Sequence, residues 1–276
     1  MNLVTSFVKR HPQAVFWGIA YVLAGVGFPL SMMYPSELWG LLIWGITLAG
    51  ALVTGIVDGK AGVKTYFGRI IRLRAGIKWY AIALLSPFVL ASIGFGLNVL
   101  AGARPSGQLP ALGKAAVLFV LFLFTNAGEE PGFRGFSLAG FLRTRSAFTA
   151  SLLVGVLHAV WHLPLFIAGQ MPLVDFLQPL CGAFLFTWIF NNTNGSVFFA
   201  MLLHASNDVA GGFFGSVFTG ADATTFHVFQ AGVFVLMVVL LRVFAGRELG
   251  RGGEGPALSK RSPRLAAPAL GPASRR

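Results

Sequence analysis

Charge is scarce in this chain. Only 11% of its 276 residues are charged, against roughly 25% in a soluble globular domain. Acidic residues are scarcer still, nine in all. A single cysteine, Cys181, excludes an internal disulfide and any cysteine-cluster metal site. No H-E-x-x-H zinc motif and no G-x-S-x-G nucleophile elbow occurs. No internal repeat is evident, which counts against an inverted-repeat transporter. Apolar residues fill the space instead: 55% of the chain is hydrophobic, with 27 Phe and 35 Gly. Glycine suits the close approach of helices in lipid. The composition predicts an all-α, polytopic membrane bundle.

A spanning helix needs about 20 mostly apolar residues. Eight segments qualify: 13–33, 37–57, 78–101, 113–128, 147–168, 173–190, 196–213 and 226–245. The first is long enough to span and lacks a small-x-small cleavage site, so it reads as a span rather than a cleaved signal. The net charge of +12 points to topology and anionic lipid rather than nucleic acid, because the basic residues lie in loops and a tail. With the N-terminus cytoplasmic, all Lys and Arg except Arg104 and Lys114 fall on one side. That split predicts a multi-pass protein of the cell (plasma) membrane with both termini inside. Residues 1–245 then form one transmembrane domain. Residues 60–78 read as a basic, partly amphipathic linker on the cytoplasmic surface, and 246–276 as a disordered basic cytoplasmic tail.

Into this apolar background the sequence sets a few ionisable residues, which in a membrane span mark function by default. Glu129 and Glu130 follow the uncharged run Ala115–Phe124, and Arg134 stands four residues after Glu130. His158 and His162 are four apart and share a helix face; His204 and Asp208 repeat the spacing, with Asn207 between them and turned away. Each cluster alone has a bland reading: a helix-end ion pair, a packed histidine, an interhelical polar staple. Together they predict one wet cavity, since buried ionisable groups must be paired or hydrated. A glutamate there can act as general base toward water, a histidine can orient that water or protonate a leaving amine, and donors opposite can stabilise an oxyanion. His11 and His227 lie near predicted membrane ends and are placed outside the site.

The ordered segments EEPGFRGFSLAGF, WHLPLF and HASND resemble the CAAX-protease and bacteriocin-processing family, which holds the type II CAAX prenyl endopeptidases and Abi-type membrane proteins. The likeness covers roughly residues 110–215, and WHLPLF typifies one bacterial branch. It implies that Glu129 is the base on the attacking water and that Glu130 and Arg134 form a supporting pair. It also implies that His162 is the second-motif histidine and that His204 and Asp208 stabilise the oxyanion. Two departures stand out. His158 occupies the place of the motif aromatic, so it competes with His162 or assists it. Asp208 stands where asparagine is usual, so Asp208 is protonated, or orients His204, or yields its role to Asn207. Zinc held by Glu129, His162 and His204, with water in the fourth position, is the alternative to a cofactor-free mechanism; the reading favours no metal. The expected function is an intramembrane endopeptidase whose cavity opens to the cytoplasm, its partners being a membrane-associated or hydrophobic peptide and the lipid bilayer. The rivals are a proton-coupled transporter subunit and a non-catalytic immunity or scaffold protein.

Overall fold

The computed structural model describes residues 2–34 and 42–250, and every regular element in it is helical. A short amphipathic helix, α1 (Leu3–Arg10), precedes α2 (Pro12–Met33), α3 (Trp44–Ile70) and α4 (Ile77–Leu100). Next, α5 (Leu112–Glu130) runs on through a π-helical segment (Pro131–Leu138) into α6 (Ala139–Phe141). The remainder comprises α7 (Ala147–Trp161), α8 (Leu163–Ile167), a 3₁₀ turn (Leu173–Phe176), α9 (Leu177–Asn192), α10 (Val197–Gly215) and α11 (Gly220–Phe244). Among the described residues seven helices are long and apolar enough to cross a membrane, and Ala147–Trp161 is a shorter apolar one. Each of the eight expected spans thus has its helix, in a multi-pass membrane protein. Residues 37–41 of the second span lie outside the described residues.

Four departures from the sequence expectation have local causes. The fourth span does not stop at its carboxylates but continues to Phe141. Pro131 has no N–H to give to the Ala127 carbonyl; Thr47 Oγ1 donates there instead, at 3.1 Å, and to Gly128 O at 2.9 Å. The freed backbone then widens into the π turns, a form frequent at functional sites. The fifth span breaks at His162, whose N–H bonds back to Ala159 O, because Pro164 cannot continue the helical ladder. The expected surface linker is largely a helix: Gly59 takes φ 66°, ψ −161°, and α3 folds back on itself. Tyr66 is thereby buried, its hydroxyl donating to Thr47 O at 2.8 Å, and Arg69 Nη1 donates to Gly135 O at 2.7 Å. Only glycine adopts such a backbone without strain. Finally, the expected tail begins with packed residues. Phe148 N donates to Arg247 O, Ala147 N to Glu248 Oε2, and Leu249 is fully buried. Residues 251–276 of that tail lie outside the described residues.

Packing and polar contacts, not a hydrophobic drive, hold helices together in lipid. Around the π segment the contacts are aromatic and hydrogen bonded. Trp17 stacks on Phe133 at 5.2 Å between centroids and 7° between planes, and its Nε1 donates to Ser137 Oγ at 2.9 Å. Trp161 Nε1 donates to Ala20 O at 3.1 Å, tying α7 to α2. On the other side α3 approaches so closely that a Cβ at Gly132 would lie 2.8 Å from Ile46 O. A second core joins α4, α9, α10 and α11 through Ala83, Leu185, Ile189, Phe199, Leu203 and Phe234. Because a backbone oxygen cannot retreat as a side chain does, Gly132→Ala is expected to destabilise the protein by about 1–3 kcal/mol, read as a lowered midpoint of thermal unfolding in detergent.

Candidate active site

The carboxylates at the end of α5 are both buried, yet they are bound differently. Glu130 Oε1 accepts from Arg134 Nη1 at 2.8 Å and from His204 Nδ1 at 2.7 Å. The guanidinium of Arg134 also lies over the Phe186 ring, 3.9 Å from its centroid. One carboxylate thus joins the π segment to α10, with α9 supplying an aromatic face. Glu129 makes no such bond. Its Oε2 is buried without a hydrogen-bond partner, 3.9 Å from His158 Nε2.

The histidines gather against this pair. The His158 ring packs on Phe133 at 4.5 Å and on His162 at 4.8 Å, and neither ring nitrogen of His158 has a partner. His158 therefore fills the aromatic place physically while turning an imidazole edge to Glu129. His162, at the break after α7, sets Nδ1 3.0 Å from His158 O. A carbonyl only accepts, so Nδ1 carries the proton and Nε2 is the open position. In the same way the Glu130 carboxylate accepts from the Nδ1–H of His204, whose Nε2 faces Asp208 Oδ1 at 3.7 Å. Asp208 Oδ2 in turn accepts from Asn126 Nδ2 at 3.2 Å. Asn126 was not read as a site residue from sequence. The available signal was its place one helical turn before Glu130.

A cavity of about 270 Å³ opens beside these groups, lined among others by Arg134, His158, His162, His204, Asn207 and Asp208. Asn207 faces it rather than turning away. Glu129 and Glu130 stand behind that lining. The imidazole that Glu129 faces is that of His158, 3.9 Å away, and not the expected His162, for which no ion pair with either carboxylate is found among the described residues. Among the described residues no three His, Cys, Asp or Glu side chains are gathered as a metal ion requires, so Glu129, His162 and His204 do not form a ligand set as they stand. His227, placed outside the site by sequence, lines the far end of the cavity together with Asp175 and Gln178. That end lies where α10 finishes and α11 begins, opposite the basic loops, whereas the sequence expectation put the opening on their side.

Residues 111–210 match the family model described as Rce1-like, type II CAAX prenyl endopeptidase. The matched stretch is less than half of the chain, yet it contains every residue from Glu129 to Asp208 in the cluster above. At the level of the family the match implies protease activity. A search of curated proteins gives no match. The unequal binding of the two carboxylates predicts unequal stability effects. Glu130→Gln leaves the buried Arg134 without its counter-charge and is expected to lose about 3–5 kcal/mol, measured by unfolding in detergent. Glu129→Gln, with no ion pair to break, is expected to show no comparable loss.

Proposed function

We propose that the chain is an intramembrane endopeptidase that hydrolyses a peptide bond of a membrane-associated or hydrophobic peptide with water activated at Glu129. One observation carries this reading: of two adjacent buried carboxylates, Glu130 is held through Oε1 by Arg134 and His204, while the Glu129 carboxylate makes no hydrogen bond and its Oε2 faces the His158 imidazole. A water held between Glu129 and His158 loses a proton to Glu129 as its oxygen bonds to the scissile carbonyl carbon. The carbonyl oxygen becomes an oxyanion. The proton then passes to the leaving nitrogen as the C–N bond breaks.

The remaining residues take supporting roles. His162 has its Nε2 open to the cavity side of the break and orients the water or the amine. Asp208 orients His204, since one of its oxygens already accepts from Asn126 and the other faces the His204 ring. An ionised aspartate repels an oxyanion, so the stabilising donors are the neutral amide of Asn207, which lines the cavity, and the Nε2–H of a doubly protonated His204, whose Nδ1–H is already given to Glu130. No step is routed through a metal or another cofactor. The transporter reading asks for a polar path between both faces. Here the interior towards the basic end is filled by Leu138, Phe190, Val197 and Met201, all buried and mutually packed. The charge split supports a reading in which the protein sits in the cell membrane with its basic end in the cytoplasm.

Cleavage of a quenched-fluorescent peptide library by the purified protein in vesicles tests the assignment. Glu129→Gln is expected to slow cleavage by about 10²–10⁴-fold, the usual worth of a general base. His158→Ala is expected to lose more activity than His11→Ala, which lies outside the cavity. Undiminished cleavage by Glu129→Gln would sink the proposal.

A further inference from the structure

The cavity has direction. Its deep wall, Arg134, His158 and Leu203, is almost fully buried, whereas His227 at the far end keeps a third of its side chain exposed. That far end is polar. Asp175, itself buried, accepts at Oδ1 from His227 Nδ1 at 2.9 Å and from Gln178 Nε2 at 2.7 Å. One turn deeper on α11, Gln230 lines the same wall, buried and with its Oε1 unpartnered against Gly94. A polar track therefore runs from this mouth past Gln230 to Asn207 and Asp208. The primary amide of Asn207 on it offers both a donor and an acceptor, the complement of a peptide backbone.

The basic residues lie at the other end of the bundle. Arg143 pairs with Asp58 there at 3.1 Å, and Arg72 donates to Asn194 O in the α9–α10 turn. Arg134 has no vote in topology because it is buried inside the bundle. Of the described Lys and Arg outside the interior, only Arg104 and Lys114 stand at the mouth end, where Arg104 N donates to Asp222 Oδ2 at the start of α11. Loops rich in Lys and Arg stay cytoplasmic. A cytosolic peptide would have to cross the packed layer of Leu138, Phe190, Val197 and Met201 to reach Glu129.

We infer that the cavity is filled from the non-cytoplasmic side of the membrane, through the mouth at Asp175, Gln178 and His227. Its substrates are then exported or externally exposed peptide segments rather than cytosolic chain ends. The word substrate rests on the proteolytic reading; the sidedness of the mouth does not. The test uses single-cysteine forms of the full chain in a Cys181→Ala background, expressed in bacterial spheroplasts and treated with a membrane-impermeant maleimide. Met171 lines the cavity near its mouth, Leu173 is exposed beside it, and Thr144 is exposed at the basic end. The Met171→Cys and Leu173→Cys variants are expected to label in intact spheroplasts, and the Thr144→Cys variant only after permeabilisation. Labelling of Thr144→Cys in intact spheroplasts overturns the inference. So does failure of either mouth variant to label before permeabilisation. Both readouts are independent of catalysis, so a loss of the protease reading would leave them interpretable. Where the mouth variants do label and cleavage of externally added peptide is present, maleimide on Met171→Cys is expected to abolish that cleavage.

Discussion

One carboxylate oxygen, Glu130 Oε1, holds the site together. It binds Arg134 from the π segment and His204 from α10 at once. In a fully buried position neither partner can exchange the contact for water, so the geometry of three side chains is set by one atom. A lone guanidinium inside the bundle would be prohibitively costly. Paired, and backed by the Phe186 ring, it becomes a fixed post. The hydrogen bond that aligns His204 is the same one that neutralises Arg134. The orientation of the imidazole is therefore a by-product of charge burial.

That arrangement depends on an irregular backbone. In a regular helix Arg134 would sit directly over Glu130, one turn on, but Pro131 removes a ladder bond and the chain opens into π turns. The disturbance is tolerable because Thr47 supplies the missing donor and because glycine at 132 lets α3 press against the widened turns. The folded-back arm of α3 adds Arg69 to the Gly135 carbonyl. Trp17 and Phe133 close the opposite side. The features that look like defects in the sequence, a proline and glycines beside charges, are thus each matched by a partner on a neighbouring helix.

The helical spans and the ionisable clusters were legible because both are local properties. Hydropathy reports the length of an apolar run, and spacing by four reports a shared face. The fold-back at Gly59 was not legible, since Lys60, Lys64 and Arg69 suggest a solvated surface and nothing in their spacing reveals that Tyr66 is buried against Thr47. Pairing across helices was equally hidden. Glu129 meets His158 and not His162 because the chain breaks at His162, a consequence of Pro164 that shifts one ring relative to the other. Asn126 and the Asp175–His227 contact escaped notice for a related reason: each is a single polar residue whose partner lies far along the chain. The direction of the cavity depends on which helix ends splay apart, and side-chain periodicity contains no trace of that.

The division of labour between Glu129 and Glu130 follows from helix geometry alone. Neighbours on a helix point about 100° apart, so two consecutive carboxylates cannot address the same partners. Glu130 faces α10 and the next turn, where His204 and Arg134 wait; Glu129 faces α7 and finds His158 at 3.9 Å. The Arg134 guanidinium bonds to Glu130 alone of the two, so that carboxylate is the one held as a structural ion. The other, kept near that positive charge yet unbonded, retains the lone pairs that proton abstraction requires. A single carboxylate would have to choose between holding the fold and reacting with water. On the proposed reading the doubled glutamate separates the two tasks, and the adjacent positions let the carboxylate that acts on water be placed by the one that is bonded.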